Sequence, residues 1–376
     1  MSTLTRTRCL AHALAYTARR AIGGRGGSDE GDLEHIANRV VSVSPAAELA
    51  VVRPYYRDDQ LSMIEDAPWF SARQIVAEHF GRTHITLQPS RLLRFDNAVL
   101  NDGSLFVGGK KRIELRSAEA SGRGLQRYSL RSVKPAVEMA RATLAATVAG
   151  STWFGHWLED ELPQLLLLSQ LAPMISHQRA EYGHEPGYRD LLALPPVNRV
   201  GAARISSLAY LDEFAQNASK AARYRAIRAA IAERPATEQA RVFLHRGAAG
   251  ASRMIRNADA VLELAQRRGF RIVDIDQPLD NLVAALNQAE VVMSVEGSHL
   301  AHALYAMRRH GTMIILAPSN RAFLTVAEIA PFCELHAAMF IGQAQDDHNF
   351  HVDVEGLDRF IDEAIADGQQ RRGDME

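Results

Sequence analysis

Arg241-Val-Phe-Leu244, Phe270-Arg-Ile-Val273, Val291-Val-Met293 and Thr312-Met-Ile-Ile-Leu316 are four short apolar runs, and helical spacing fills Ala258 to Arg268, Leu279 to Asn287 and His299 to Met307 between them. Strand and helix periods alternating in this way predict βαβ units and a parallel sheet covered on both faces. In such a sheet ligands bind at the carboxyl ends of the strands. The loops that follow the strands are therefore where chemistry is to be sought.

One such loop lies in Val291-Val-Met-Ser-Val-Glu-Gly-Ser-His-Leu-Ala-His302, where a buried strand ends in the small residues Gly297 and Ser298 and a helix begins. Free backbone N–H groups and the positive end of a helix suit a phosphate there. His299 and His302, three apart on one helical face, point the same way, although a tight turn with packed histidines reads equally well. A second loop, Arg246-Gly-Ala-Ala-Gly-Ala-Ser-Arg-Met-Ile-Arg-Asn257, opens on the same rim. Its arginines Arg246, Arg253 and Arg256, with Asn257 as helix N-cap, read as an anion clamp or, taken singly, as a solvated basic loop. Neither a Walker-type phosphate loop nor a Gly-x-Gly-x-x-Gly fingerprint follows a strand, so P-loop and ordinary dinucleotide enzymes are unsupported.

Upstream, the Gly23-Gly-Arg-Gly-Gly27 run marks a flexible break, and residues 1–39 are expected to be a flexible N-terminal segment. Val40-Val-Ser-Val43, Leu49-Ala-Val-Val52, His84-Ile-Thr-Leu87 and Ala98-Val-Leu100 read as strands, with Asn101-Asp-Gly103 as a hairpin turn before Ser104-Leu-Phe-Val107. From Pro135 to Ala149 the spacing predicts a helix, and a second helix runs from Trp153 to Leu168 with Pro163 kinking or restarting it. On that second helix His156 and Asp160 stand four apart on one face, which reads either as a satisfied His-Asp pair at a helix surface or as a carboxylate orienting an imidazole in the way a general base requires. Glu159 and Glu161 flank Asp160 and leave the partner open. A loop rich in Gly and Pro follows over residues 183–196. The expected domains are 40–195 and 196–350, with a C-terminal helix and tail over 351–376.

The chain has 376 residues, enough for about two cores. Lys and Arg number 43 against 44 Asp and Glu, a net charge of −1 that offers no global field for nucleic acid. The cationic side is mostly Arg, which favours bidentate contacts to phosphate or carboxylate. Cys9 and Cys333 are too few for a disulfide framework, which fits a reducing compartment. No metal site is expected, since His299 and His302 lack a nearby third ligand in sequence. No run of about 18 apolar residues occurs. Arg6, Arg8, Arg19, Arg20 and Arg25 precede the first acidic residue, Asp29, which admits peripheral contact with an anionic membrane surface.

Taken in order, Gly155-His-Trp-Leu-Glu-Asp160, Arg241-Val-Phe-Leu-His-Arg246, Arg253-Met-Ile-Arg-Asn257, Ala289-Glu-Val-Val-Met-Ser294 and Glu296-Gly-Ser-His-Leu-Ala-His-Ala-Leu-Tyr305 resemble the catalytic region of family-61 glycosyltransferases. The resemblance implies a GT-B fold, α/β with two Rossmann-like halves facing a cleft, here with an extra β-rich segment in the N-terminal half. It implies transfer with inversion from a nucleotide-sugar donor to a glycan or lipid-linked saccharide acceptor, without a separate cofactor. His156 and Asp160 match the family's catalytic His and acidic residue. Arg246, Arg253, Asn257, Glu296, Gly297, Ser298, His299 and His302 fall in its donor-binding elements. Glu296 stands where the family's turn usually has His, and His302 replaces a frequent Asn. The bacterial branch of the family implies polysaccharide biosynthesis in the cytoplasm, with peripheral attachment at the inner membrane where the acceptor is lipid-linked. The departures keep two alternatives in view, a catalytically degenerate sugar-binding protein and a phosphosugar-processing α/β enzyme.

Overall fold

A computed structural model describes residues 33–67, 71–108, 110–115, 136–235, 240–246, 253–345 and 349–374. The basic segment over residues 1–32 and the loop residues 247–252 lie outside the described residues. The chain is mixed α/β and divides into two compact units, one running to Ala47 and then over Leu87–Lys220, the other over Glu48–Thr86 and Ala221–Glu376. The division differs from a cut at residue 195, because the strands beyond that point return to the first sheet.

The strands of the first half are β1 (Arg39–Ser44), β2 (Ala47–Ala50), β3 (His84–Leu87), β4 (Ser90–Asn101), β5 (Ser104–Val107), β6 (Lys110–Glu114), β7 (Val137–Leu144), β8 (Met174–His177), β9 (Asn198–Val200) and β10 (Ala202–Asp212). The first unit's sheet has the order β6-β5-β4-β10-β7-β8-β9, with β1 paired to β4. Its hairpin is the expected one: Asp102 at φ 48° and Gly103 at φ 83° form the two-residue turn that suits a twisted strand pair. The helix expected over Pro135 to Ala149 is instead β7. Glu138, Met139, Ala140 and Arg141 favour helix locally, yet β7 pairs in parallel with β10 from Val137 to Leu144 and with β8 at Thr143 and Leu144, and its last three residues are buried. Tertiary pairing overrides propensity here. The expected loop over 183–196 contains the helix Glu185–Leu191, with Pro186 in its first turn, where a missing N–H costs nothing. Leu93, Phe95, Leu100, Leu144, Ile205 and Leu208 form the core.

The second unit holds β11 (Arg241–His245), β12 (Arg271–Asp274), β13 (Val291–Val295), β14 (Thr312–Pro318), β15 (His336–Ala344) and β16 (Phe350–His351). Their order is β12-β11-β13-β14-β15-β16, parallel through β15 with β16 antiparallel at the edge. Helices at Ala258–Arg267, Leu279–Leu286 and Ala301–Ala306 connect the strands, as the alternation predicts. Strand order reverses between β11 and β13, the switch point at which open α/β sheets leave a crevice. Tyr55 joins from the earlier segment, its N–H donating to Ala337 O at 2.7 Å and its carbonyl accepting from Met339 N–H at 2.9 Å. Phe243, Val261, Met293, Leu316, Phe340 and Phe360 fill the core.

The β15–β16 edge is packed without slack. A Cβ on Gly342 would lie 2.4 Å from Phe350 Cδ2 and 2.8 Å from the His351 carbonyl oxygen. Gly342→Ala is therefore expected to cost about 1–3 kcal/mol through overpacking, seen as a lower urea midpoint at unchanged slope. An unaltered midpoint would show that the edge yields.

Candidate functional site

The switch-point loops gather charge. Arg253, arriving after the β11 loop, donates from Nη1 to the Glu296 carbonyl at 2.9 Å and is ion-paired to the Glu296 carboxylate at the end of β13. Gly297 makes that approach possible: its φ is +150°, and a Cβ there would sit 3.1 Å from Arg253 Nη1 and 3.2 Å from His299 Nδ1. Burial raises the Glu296 carboxyl above its ordinary range, while Arg253, Arg321 and Arg246 pull against it in that order. Arg246 is lowered to about 10 by burial and then by Arg253. Three guanidiniums thus act on one carboxylate, Arg253 by direct contact, and an incoming anion would relieve their mutual repulsion.

His299 is buried and kept neutral. Ser294 Oγ donates to the Leu244 carbonyl and so accepts from His299 Nε2–H at 2.7 Å, which assigns the tautomer and leaves Nδ1 as the acceptor. Its pKa falls to about 3, through burial first and then through Arg246, Arg253 and His245. At the end of β11, His245 Nδ1 lies 2.6 Å from Asp274 Oδ1. A cavity of about 260 Å³, walled by Phe243, Met254, Ile255, Val261, Leu262 and Val295, adjoins Arg246 and Arg253. The helix after Gly297 is short, a single 3-10 turn at Ser298–Leu300 followed by Ala301–Ala306, so the positive charge at this rim comes from guanidiniums.

In the first unit, His156 ends the short helix Phe154–His156, and the chain then makes a π-helical turn over Trp157–Glu161 before the helix Leu162–Leu168. Such wide turns frequently mark functional positions. His156 Nδ1 lies 3.0 Å from Asp160 Oδ2 and 3.6 Å from Glu159 Oε2, and its side chain is 33% exposed. The hydrogen bond to Asp160 raises the imidazole pKa against the opposing effect of burial. Burial works to raise Asp160 as well, but the Lys220 ammonium and His156 overcome it, and the carboxyl stays below its usual range. Lys220, fully buried, is ion-paired to Asp160 Oδ1. Asp160 is thus an ionised, anchored carboxylate with one oxygen on each cation. Glu161 faces elsewhere: it accepts from Thr147 N–H at 3.1 Å and from Arg179 at 3.4 Å, and burial pushes it up to about 7. Trp153, 58% exposed, has its ring centroid 5.7 Å from that of His156.

Of the residues singled out from sequence, Arg246, Arg253, Glu296, Gly297 and His299 come together in the second unit, with Ser298 exposed beside them. Asn257 occupies the N-cap position but makes no side-chain cap; its amide instead donates to Val352 O at 2.8 Å and accepts from Val352 N–H at 3.0 Å, tying down the C-terminal segment. His302 is buried in the helix Ala301–Ala306. Two residues escaped the sequence reading. Arg321 lies beyond β14 with no motif around it, and Lys220 lies 60 residues from Asp160; only its rarity in an arginine-rich chain singles it out. Among the described residues, no three His, Cys, Asp or Glu side chains are gathered as ligands for a metal ion, and no helix is long and apolar enough to cross a membrane.

Residues 154–315 match the family model described as Glycosyltransferase 61. The matched span contains His156 and Asp160 in the first unit and every switch-point residue named above except Arg321. No curated protein matches the chain. The family match supports a family-61 glycosyltransferase with a role in glycan biosynthesis.

Proposed function

We propose that this chain is an inverting glycosyltransferase of GT-B type that moves a sugar from a nucleoside-diphosphate donor to a hydroxyl of a glycan or lipid-linked saccharide during polysaccharide assembly. The observation that carries the reading is the Arg253–Glu296 ion pair at the switch point of the parallel sheet, with Arg321 and Arg246 near enough for their charge to act on the same carboxylate. That excess of fixed positive charge suits a diphosphate, and the apolar cavity beside Arg246 suits the flat face of a base. Glu296, an awkward residue next to a phosphate when read from sequence, is the counter-ion that holds Arg253 in place.

In the proposed reaction an acceptor oxygen attacks the anomeric carbon while its bond to the nucleoside diphosphate breaks on the opposite face. The acceptor proton passes to His156 Nε2, because the contact with ionised Asp160 holds the other ring nitrogen as Nδ1–H. The arginines take up the negative charge of the leaving group, the task a metal ion performs in other transferases. Trp153 offers an aromatic face near His156 on which a sugar ring can rest. The reaction belongs in the cytoplasm, at the inner membrane when the acceptor is lipid-linked.

A thermal-shift panel of nucleoside diphosphates and nucleotide sugars, with magnesium and with chelator, tests the reading. A ligand at 100 times its dissociation constant adds roughly 2.7 kcal/mol to the folded state. One nucleotide series that stabilises irrespective of chelator is the expected result, and Arg321→Ala is expected to weaken it about 10- to 100-fold, the worth of a charge-assisted contact. A flat panel would favour a phosphosugar enzyme or a protein that has lost its donor site.

A further inference from the structure

At the opposite, amino-terminal edge of the second sheet lies a cavity of about 570 Å³. Five arginines line it: Arg225 and Arg228 from the helix Ala218–Ala232, Arg308 and Arg309 from the turn before β14, and Arg372 near the end of the helix Val354–Gly373. Glu334 is the one acidic lining residue, and it is held by Arg309, with Nε 2.7 Å from Oε2 and Nη2 2.7 Å from Oε1. Arg308 is paired with Glu290. Arg225, Arg228 and Arg372 have no carboxylate within ion-pairing distance among the described residues.

The arrangement is built into the fold. The carbonyls of Leu304 and Met307, at the carboxyl end of the helix Ala301–Ala306, would repel an anion, but Arg228, about nine-tenths buried, covers both and reverses the sign of that wall. The turn bearing Arg308 and Arg309 is anchored from both sides, with Arg308 N–H donating to Ala289 O at 2.9 Å and His310 N–H donating to Glu334 O at 2.8 Å. Gly311 closes the turn without room for a side chain, since a Cβ would lie 2.8 Å from Glu290 O and 2.9 Å from Arg308 O. Tyr305, Ala229 and Ala232 supply an apolar wall. A strand of five residues, about 16 Å, separates this edge from the switch-point loops.

We propose that this cavity is a second anion site, distinct from the switch point, that takes a phosphate-bearing molecule of nucleotide or sugar-phosphate size. Its volume falls in the ordinary range for such ligands, and planar guanidiniums match phosphate oxygens in pairs. The phosphate belongs either to a soluble metabolite or to a lipid headgroup, and one experiment separates them.

Calorimetric titration of the full chain with inorganic pyrophosphate at low salt is expected to show binding that survives in R246A/R321A and weakens about 10-fold for each guanidinium lost when R225A and R372A are added. Residual binding indifferent to R225A and R372A, or no residual binding in R246A/R321A, would overturn the proposal. Should the combined variant fold poorly, phenylglyoxal labelling of the wild-type chain gives an independent reading. Pyrophosphate should protect Arg225 and Arg372, and equal labelling with and without it counts against the site. Sedimentation with phosphatidylglycerol vesicles identifies the source: vesicle binding sensitive to R225A/R372A marks a lipid headgroup, and pyrophosphate binding without vesicle binding marks a soluble ligand. Loss of transfer activity in R246A/R321A with this site intact keeps the two proposals apart.

Discussion

His156→Ala is expected to lower turnover on the order of 10²–10⁴-fold, the usual worth of a positioned general base, while stabilisation by the nucleotide that best protects the wild-type chain stays unchanged. The pH dependence carries a second signature. The Asp160 hydrogen bond holds the His156 pKa above 6.5, so the neutral base becomes available only above that value, and the acid limb of kcat/KM should lie on the alkaline side of an ordinary histidine. Asp160→Asn should move that limb back towards acid. The stability consequence runs the other way. A raised folded-state pKa contributes stability that is fully present below about pH 6.5, the unfolded value, and is lost as pH rises through the elevated folded value. His156→Ala should remove that slope. Turnover near the wild-type rate in His156→Ala would sink the base assignment, and an unshifted limb in Asp160→Asn would sink the orienting role of the carboxylate.

The second unit was legible because its signals are local. Strands β11 to β14 and the helices between them each announce their own period over four to ten residues, and the glycine at position 297 falls where the chain must turn under Arg253 and His299. Residues whose partners are remote were not legible. β7 reads as helix because Glu138, Met139, Ala140 and Arg141 are good helix formers, and only pairing with β10, some 66 residues later, turns them into a strand. The same non-locality hides the partition of the chain: Glu48–Thr86 packs with the second unit through contacts such as Tyr55 with β15, nearly 300 residues away.

The site follows the same rule. His156 and Asp160 were visible as an i, i+4 pair, although the turn that carries them is π-helical, so Glu159 also comes within 3.6 Å. Asn257 sits at the start of a helix as expected, yet its amide is spent on Val352, because a single side chain satisfying both a donor and an acceptor of one distant backbone group outcompetes a local cap. Arg321 enters the cluster from beyond β14, where nothing in the neighbouring residues distinguishes it from a solvated arginine.

Lys220→Met should be the most damaging stability change at the site, by about 3–5 kcal/mol, because it leaves the carboxylate of Asp160 buried without its ammonium. In the wild type the cations overcome burial and keep Asp160 below the usual carboxylate range. With Lys220 gone, burial prevails, Asp160 takes up a proton towards neutral pH, and His156 loses the partner that raises it. The sign with pH follows from the depressed Asp160 value: its contribution is present above about pH 4 and lost as pH falls through the folded value in the wild type, so the difference between wild type and Lys220→Met should shrink in acid. Removing both charges is less costly than removing one, and Asp160→Asn combined with Lys220→Met should recover part of the loss in a urea unfolding cycle. Turnover should not recover with it, since the neutral amide introduced by Asp160→Asn cannot hold His156 as the ionised carboxylate does. Equal midpoints for Lys220→Met and the wild type would mean that the ammonium is solvated in solution, and the positioning of His156 would then rest on Asp160 and Glu159 alone.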